Sequence, residues 1–81
     1  VDNDKSASDI KRLQNVILQY LRSNPDAADT LEGVMNWWLP KQRYEQVNVE
    51  NVYQALEQLI TEGEIKKVSL LDGTTLYKKL N

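Results

Sequence analysis

Apolar residues recur at three- and four-residue spacing in three blocks of this chain, and the spacing tightens towards two near its end. In the first block Ile10, Leu13, Val16, Ile17, Tyr20 and Leu21 fall on one helical face. Ser6 or Ser8 is the N-cap candidate, and Pro25 stops the helix at Asn24. The second block repeats Leu31, Val34, Met35 and Trp38. Asp29 with Glu32 three residues on resembles a capping box with Asp in place of Ser or Thr, and Pro40 ends that helix. A connector of about seven residues, Lys41 to Val47, has no clear period. Asn48 then caps a third helix with the stripe Val49, Val52, Tyr53, Leu56, Leu59 and Ile60, and Gly63 supplies the left-handed position at its end.

After Gly63, two runs rich in β-branched and aromatic residues flank Asp72-Gly73, a hairpin signal. With Asp72 and Gly73 as a two-residue loop, Leu71 faces Thr74, Val68 faces Tyr77 and Ile65 faces Leu80. Lys66 then opposes Lys79, and Lys67 opposes Lys78. The expected core is Ile10, Leu13, Ile17, Leu21, Leu31, Met35, Trp38, Val52, Leu56, Leu59, Ile60 and Ile65. Residues 1 to 7 are polar without periodicity and read as a flexible leader, so the folded domain is expected over 8 to 81.

The order of these signals resembles the winged helix-turn-helix superfamily. The resemblance rests on Val52-x-x-Ala55-Leu56-x-x-Leu59-x-x-x-Gly63-x-Ile65, followed by Gly73 and Tyr77, and covers about residues 8 to 80. It implies an α+β fold in which a three-helix bundle is followed by a two-stranded antiparallel hairpin, the wing. Members of that superfamily commonly place the third helix in the DNA major groove and the wing against the backbone or minor groove. Others are scaffolds in protein complexes.

Charge complicates the DNA expectation. Residues 1 to 43 balance, residues 44 to 65 carry five carboxylates (Glu45, Glu50, Glu57, Glu62, Glu64) and no Lys or Arg, and residues 66 to 81 carry a net excess of three positive charges. Carboxylates on the exposed side of the third helix repel phosphate, although Asn51, Gln54 and Gln58 on the same side suit base edges. A transcription-regulator type of module contacting duplex DNA is the leading expectation. It would use the wing residues Lys66, Lys67, Lys78 and Lys79, assisted by Lys41 and Arg43. The alternative is a protein-interaction module using Glu50 and Glu57 of the third helix with an aromatic patch of Trp37, Pro40 and Tyr44. Trp37 and Trp38 are about 100° apart on a helix, so only one can point straight inward, and Trp38 shares the apolar stripe.

Composition narrows the remaining chemistry. With no His to activate Ser6, Ser8, Ser23 or Ser69, and no Cys, neither catalysis nor a metal centre is expected, and no cofactor is implied. No apolar run approaches the ~20 residues that span a bilayer, so a cytoplasmic protein without a membrane partner is expected. A start at Val1 rather than Met suggests a processed product or a domain cut from a longer protein.

Overall fold

The computed structural model describes the backbone of residues 2–41 and 47–80, with side chains from Ser8 onward. Three helices and a three-stranded antiparallel sheet form an α+β fold. The elements run α1 (Asp2–Ser23), β1 (Ala28–Asp29), α2 (31–41), α3 (Val49–Thr61), β2 (Ile65–Ser69) and β3 (Thr75–Lys79). The polar residues before Ser8 continue α1 as helix, so Ser6 and Ser8 lie inside it rather than at its cap. Adding a residue to an existing helix is far easier than nucleating one, so an apolar stripe marks where a helix packs rather than where it begins. Its other end matches expectation: the backbone N–H and Nδ2 of Asn24 both donate to the Tyr20 carbonyl, at 2.9 and 3.0 Å, just before Pro25.

The second helix departs from the expected pattern at both ends. Its N-cap is Thr30, whose Oγ1 accepts from the Gly33 N–H at 3.1 Å, while Asp29 lies one residue earlier and accepts from the Thr30 N–H at 2.8 Å. Helical structure then runs through three contiguous segments, Leu31–Gly33, Val34–Trp38 with π spacing, and Leu39–Lys41, and so passes Pro40. In the π turn the Leu39 N–H reaches the Val34 carbonyl five residues back. Proline has no N–H and its ring crowds the carbonyl four residues before it; the wider turn accommodates both defects. The turn also places Val34 and Leu39 on one side, and both are buried.

Asn48 caps α3 as its sequence position indicates, accepting from the N–H groups of Glu50 and Asn51 at 2.8 and 3.3 Å. At the other end Gly63, at φ +77°, donates to the Ile60 carbonyl, and Glu64 donates to that of Leu59. These two bonds form a Schellman motif that turns the chain into β2.

The sheet has three strands where the pattern predicts two, in the order β1-β3-β2. Ala28 pairs with Lys78 and Asp29 with Tyr77, an element too short for any periodicity to reveal. The hairpin register is shifted by one from expectation: Ile65 pairs with Lys79, Lys66 with Lys78, Lys67 with Tyr77, Val68 with Leu76 and Ser69 with Thr75. The cause is a three-residue loop, Leu71-Asp72-Gly73. The Leu70 N–H donates to the Thr74 carbonyl at 2.8 Å, the Gly73 N–H to the Leu70 carbonyl at 3.0 Å, and Gly73 takes φ +91°. A type I turn followed by a left-handed glycine is the usual three-residue hairpin solution.

One core joins all three helices to the sheet through Ile10, Leu13, Ile17, Leu21, Val34, Trp38, Leu39, Val52, Ala55, Leu56, Leu59, Ile65 and Tyr77. Leu31, Met35 and Ile60, expected inside, are half-buried at its rim, and Val34, Leu39, Ala55 and Tyr77 take the interior. Trp38 stacks on Tyr20 of α1, with ring centroids 5.0 Å apart and planes inclined by 12°. Such offset stacks add to what area burial alone supplies. The amide of buried Gln14 in α1 donates to both carboxylate oxygens of Glu62 at 3.3 and 3.4 Å, tying α1 to the end of α3.

Candidate functional site

Burial of Val52, Ala55, Leu56 and Leu59 fixes the rotation of α3, and this moves Val49 and Tyr53 off the core. Both are exposed, although their spacing placed them in the inward stripe. The signal that could have corrected this was Ala55. Counting it as apolar recentres the stripe on Val52 and Leu59 and leaves Val49 and Tyr53 on its flank. With Leu31, Glu50 and Gln54 they line an open groove of about 440 Å³ between α2 and α3. Gln54, Gln58 and Thr61 are exposed further round the helix, and Asn51 is half-buried.

Glu57 is also half-buried, because it faces β2. Its Oε2 is covered, takes no well-aligned hydrogen bond, and meets the Lys67 ammonium at 2.9 Å as a counter-charge. Close contact with the Glu57 carboxylate raises the Lys67 pKa above its usual value, with smaller contributions from Tyr53 and Tyr77. Burial raises the phenol of Tyr77, the direct strand partner of Lys67. Lys67 thus reaches from β2 to α3 and meets Glu57 as a half-exposed ion pair.

Side chains of directly paired residues share a sheet face, so the register sorts the four hairpin lysines into two pairs. Lys67 and Lys79 lie on the face of buried Ile65 and Tyr77, towards the helices. Lys66 and Lys78 oppose one another on the outer face. That face also carries half-buried Val68 and Leu76 and exposed Leu70 and Leu80, and Leu71 protrudes fully exposed from the tip. The loop is held by Asp72, whose Oδ1 accepts from the Thr74 N–H at 2.9 Å; bonding to Thr74 keeps its pKa below the ordinary carboxylate value. The outer face combines leucines with lysines, and the observed register is what sets Lys66 opposite Lys78 there.

At the far end of α2, Trp37 is 64% exposed while Trp38 is buried. Pro40 is half-buried and Lys41 exposed; Arg43 and Tyr44, expected to act beside them, lie outside the described residues. Among the described residues no group of three or more His, Cys, Asp or Glu could hold a metal ion, and no helix is long and apolar enough to cross a membrane. No family model matches this chain, and no curated protein or solved structure matches it significantly.

Proposed function

We propose that this chain is a winged-helix module that binds protein, using the groove between α2 and α3 as its docking site. The observation that carries this reading is the exposure of Val49 and Tyr53 beside Leu31 and Glu50, where a duplex reader of this architecture needs cationic or polar side chains. An open apolar groove edged by a carboxylate suits an apolar anchor from a partner with a cation beside it. Phosphate would meet Glu50 instead. In this reading the β2–β3 hairpin is the wing and Lys67 sets its angle on α3 through Glu57. The Lys66–Lys78 pair on the outer face favours a second reading, in which the wing meets nucleic acid backbone.

A photo-crosslinking amino acid in place of Tyr53, introduced into the chain in its native cell, tests the first reading. Protein adducts are expected, and they should disappear when Val49→Gln is added. A duplex titration tests the second: if four to six cations met phosphate, log affinity would fall against log salt with a slope of about −3.6 to −5.4. Such a slope, flattened by Lys66→Ala with Lys78→Ala and accompanied by no adduct at position 53, would overturn the protein-docking assignment.

A further inference from the structure

One edge of the sheet is open. The strand order β1-β3-β2 gives β2 a neighbour on one side only, and the register fixes which backbone groups that neighbour takes. At the loop end of the hairpin the Leu70 N–H donates to the Thr74 carbonyl, and at the other end the Leu80 N–H donates to that of Glu64. Antiparallel pairs alternate between hydrogen-bonded and non-hydrogen-bonded, so Glu64, Lys66, Val68 and Leu70 turn their N–H and C=O groups to β3, and Ile65, Lys67 and Ser69 turn theirs outward. Among the described residues no other strand or turn takes up those outward groups. Proteins commonly blunt such an edge with a very short strand, a proline, a bulge or an inward-pointing charge. The opposite edge, β1, has 2 residues. Strand β2 has 5, contains no proline and pairs with β3 without a bulge from Ile65 to Ser69. Its one inward-pointing charge is Lys67, which Glu57 compensates at 2.9 Å.

We propose that this edge pairs with the same edge of a second copy of this chain, antiparallel about a two-fold axis at Val68, so that two sheets become one. The outward groups and the charges select that axis. Centred on Lys66 or Lys67, the pairing sets a lysine directly across from its own copy, a destabilising opposition. Centred on Ser69, it leaves only that residue's outward groups in register. Centred on Val68, Lys67 exchanges both of its outward bonds with Ser69 of the second copy, and Ser69 does the same with Lys67. On the outer face Lys66 then lies across from Leu70, along which its aliphatic stem can pack, and Val68 meets Val68. Because Leu76 is the strand partner of Val68, the two outer faces join into one apolar strip, Leu76 and Val68 followed by their copies. The edge is self-complementary, so the contact is isologous and closes at two copies. It uses no residue of the α2–α3 groove and stands apart from the docking role above.

Sedimentation equilibrium across a concentration series tests this with the chain as it stands: the mass should rise with concentration and stop at twice the monomer value. Ser69→Pro removes an outward N–H that the hairpin does not use, a position where a strand tolerates proline. It deletes one bond from each copy and should weaken dimerisation at least about tenfold, with far-ultraviolet circular dichroism unchanged. The chain has no cysteine, so single cysteines report the axis directly. Val68 and its copy form a non-hydrogen-bonded pair with Cα atoms about 4.5 Å apart, a separation that a disulfide spans. Val68→Cys should therefore oxidise to a covalent dimer. Leu80→Cys, exposed on the same face but about 30 Å from its copy by strand and residue spacing, should stay monomeric. Val68→Lys and Val68→Glu should each be monomeric alone and dimerise when mixed, because opposite charges then meet across the axis. A wild type that is monomeric at every concentration, a folded Ser69→Pro chain that dimerises as tightly, a mixture of the two charged variants that stays monomeric, or Leu80→Cys crosslinking as readily as Val68→Cys overturns the proposal. Should Ser69→Pro lose its circular dichroism, the comparison of the two cysteine variants decides.

Discussion

The space beside Gly33 is filled by the Asp29 carboxyl. A Cβ built on it would overlap the Asp29 carboxyl, which accepts from the Thr30 N–H at 2.8 Å. Its own N–H is the donor to the Thr30 cap, so strand β1, the cap and the first turn of α2 meet at this residue. Gly33→Ala makes the Asp29 carboxyl turn away and give up its bond to the Thr30 N–H, so it should cost about 0.5–1.5 kcal/mol in urea unfolding, the range for one hydrogen bond. The backbone at Gly33 is ordinary right-handed helix, so the loss should come from the collision. In a double-mutant cycle Asp29→Gly should recover much of it, and fully additive losses would show that the carboxyl is not the obstacle. The sequence carried only half of this. Asp29 and Glu32 suggested a helix start near the right place, but Thr30 at the next position is also a favourable cap. The choice between them depends on β3, which holds Asp29 in a strand.

The elements differ in how legible they were because they differ in what determines them. The first and third helices were readable in type and in most inward positions, since a long stripe at 3.6-residue spacing averages over local exceptions. The second was misread where Pro40 and the π turn change the period, exchanging Met35 for Val34 and Leu39 in the core. The hairpin was recognised from Asp72-Gly73, but a shift of a single loop residue rearranged every cross-strand pair. That shift rests on Gly73 at φ +91°. Gly73→Ala should therefore destabilise the chain by about 1–2 kcal/mol, because a Cβ is disfavoured in the left-handed region. Gly73→Asn should cost less, since asparagine visits that region more readily. Urea midpoints would rank the two, and equal losses would mean that the φ value is not what the loop requires. The candidate surfaces were legible as charge segregation along the chain. Their apolar components were not, because Val49, Tyr53 and the outward leucines depend on helix rotation and strand register.

At the scale of the whole molecule, one buried cluster couples α1, α2, α3 and the sheet, and Trp38 is its largest side chain. Its neighbour Trp37 lies in solvent. The two tryptophans therefore divide the protein's emission into an interior and a surface reporter. Trp37→Phe should leave a blue-shifted spectrum resistant to iodide, and Trp38→Phe a red-shifted, readily quenched one. Phenylalanine is the workable replacement, because Trp38→Ala, at about 3–5 kcal/mol, approaches the entire stability of a domain this small. In the Trp37→Phe variant the remaining emission reports the Tyr20 stack between α1 and α2, whereas circular dichroism reports all three helices. If the core is one cooperative unit, the two signals should give superimposable urea transitions. Loss of the tryptophan signal before the helical signal would instead show α2 leaving a persistent α1–α3 pair, the pair joined by Gln14 and Glu62. The groove would then be lost first, since Leu31 supplies its α2 wall.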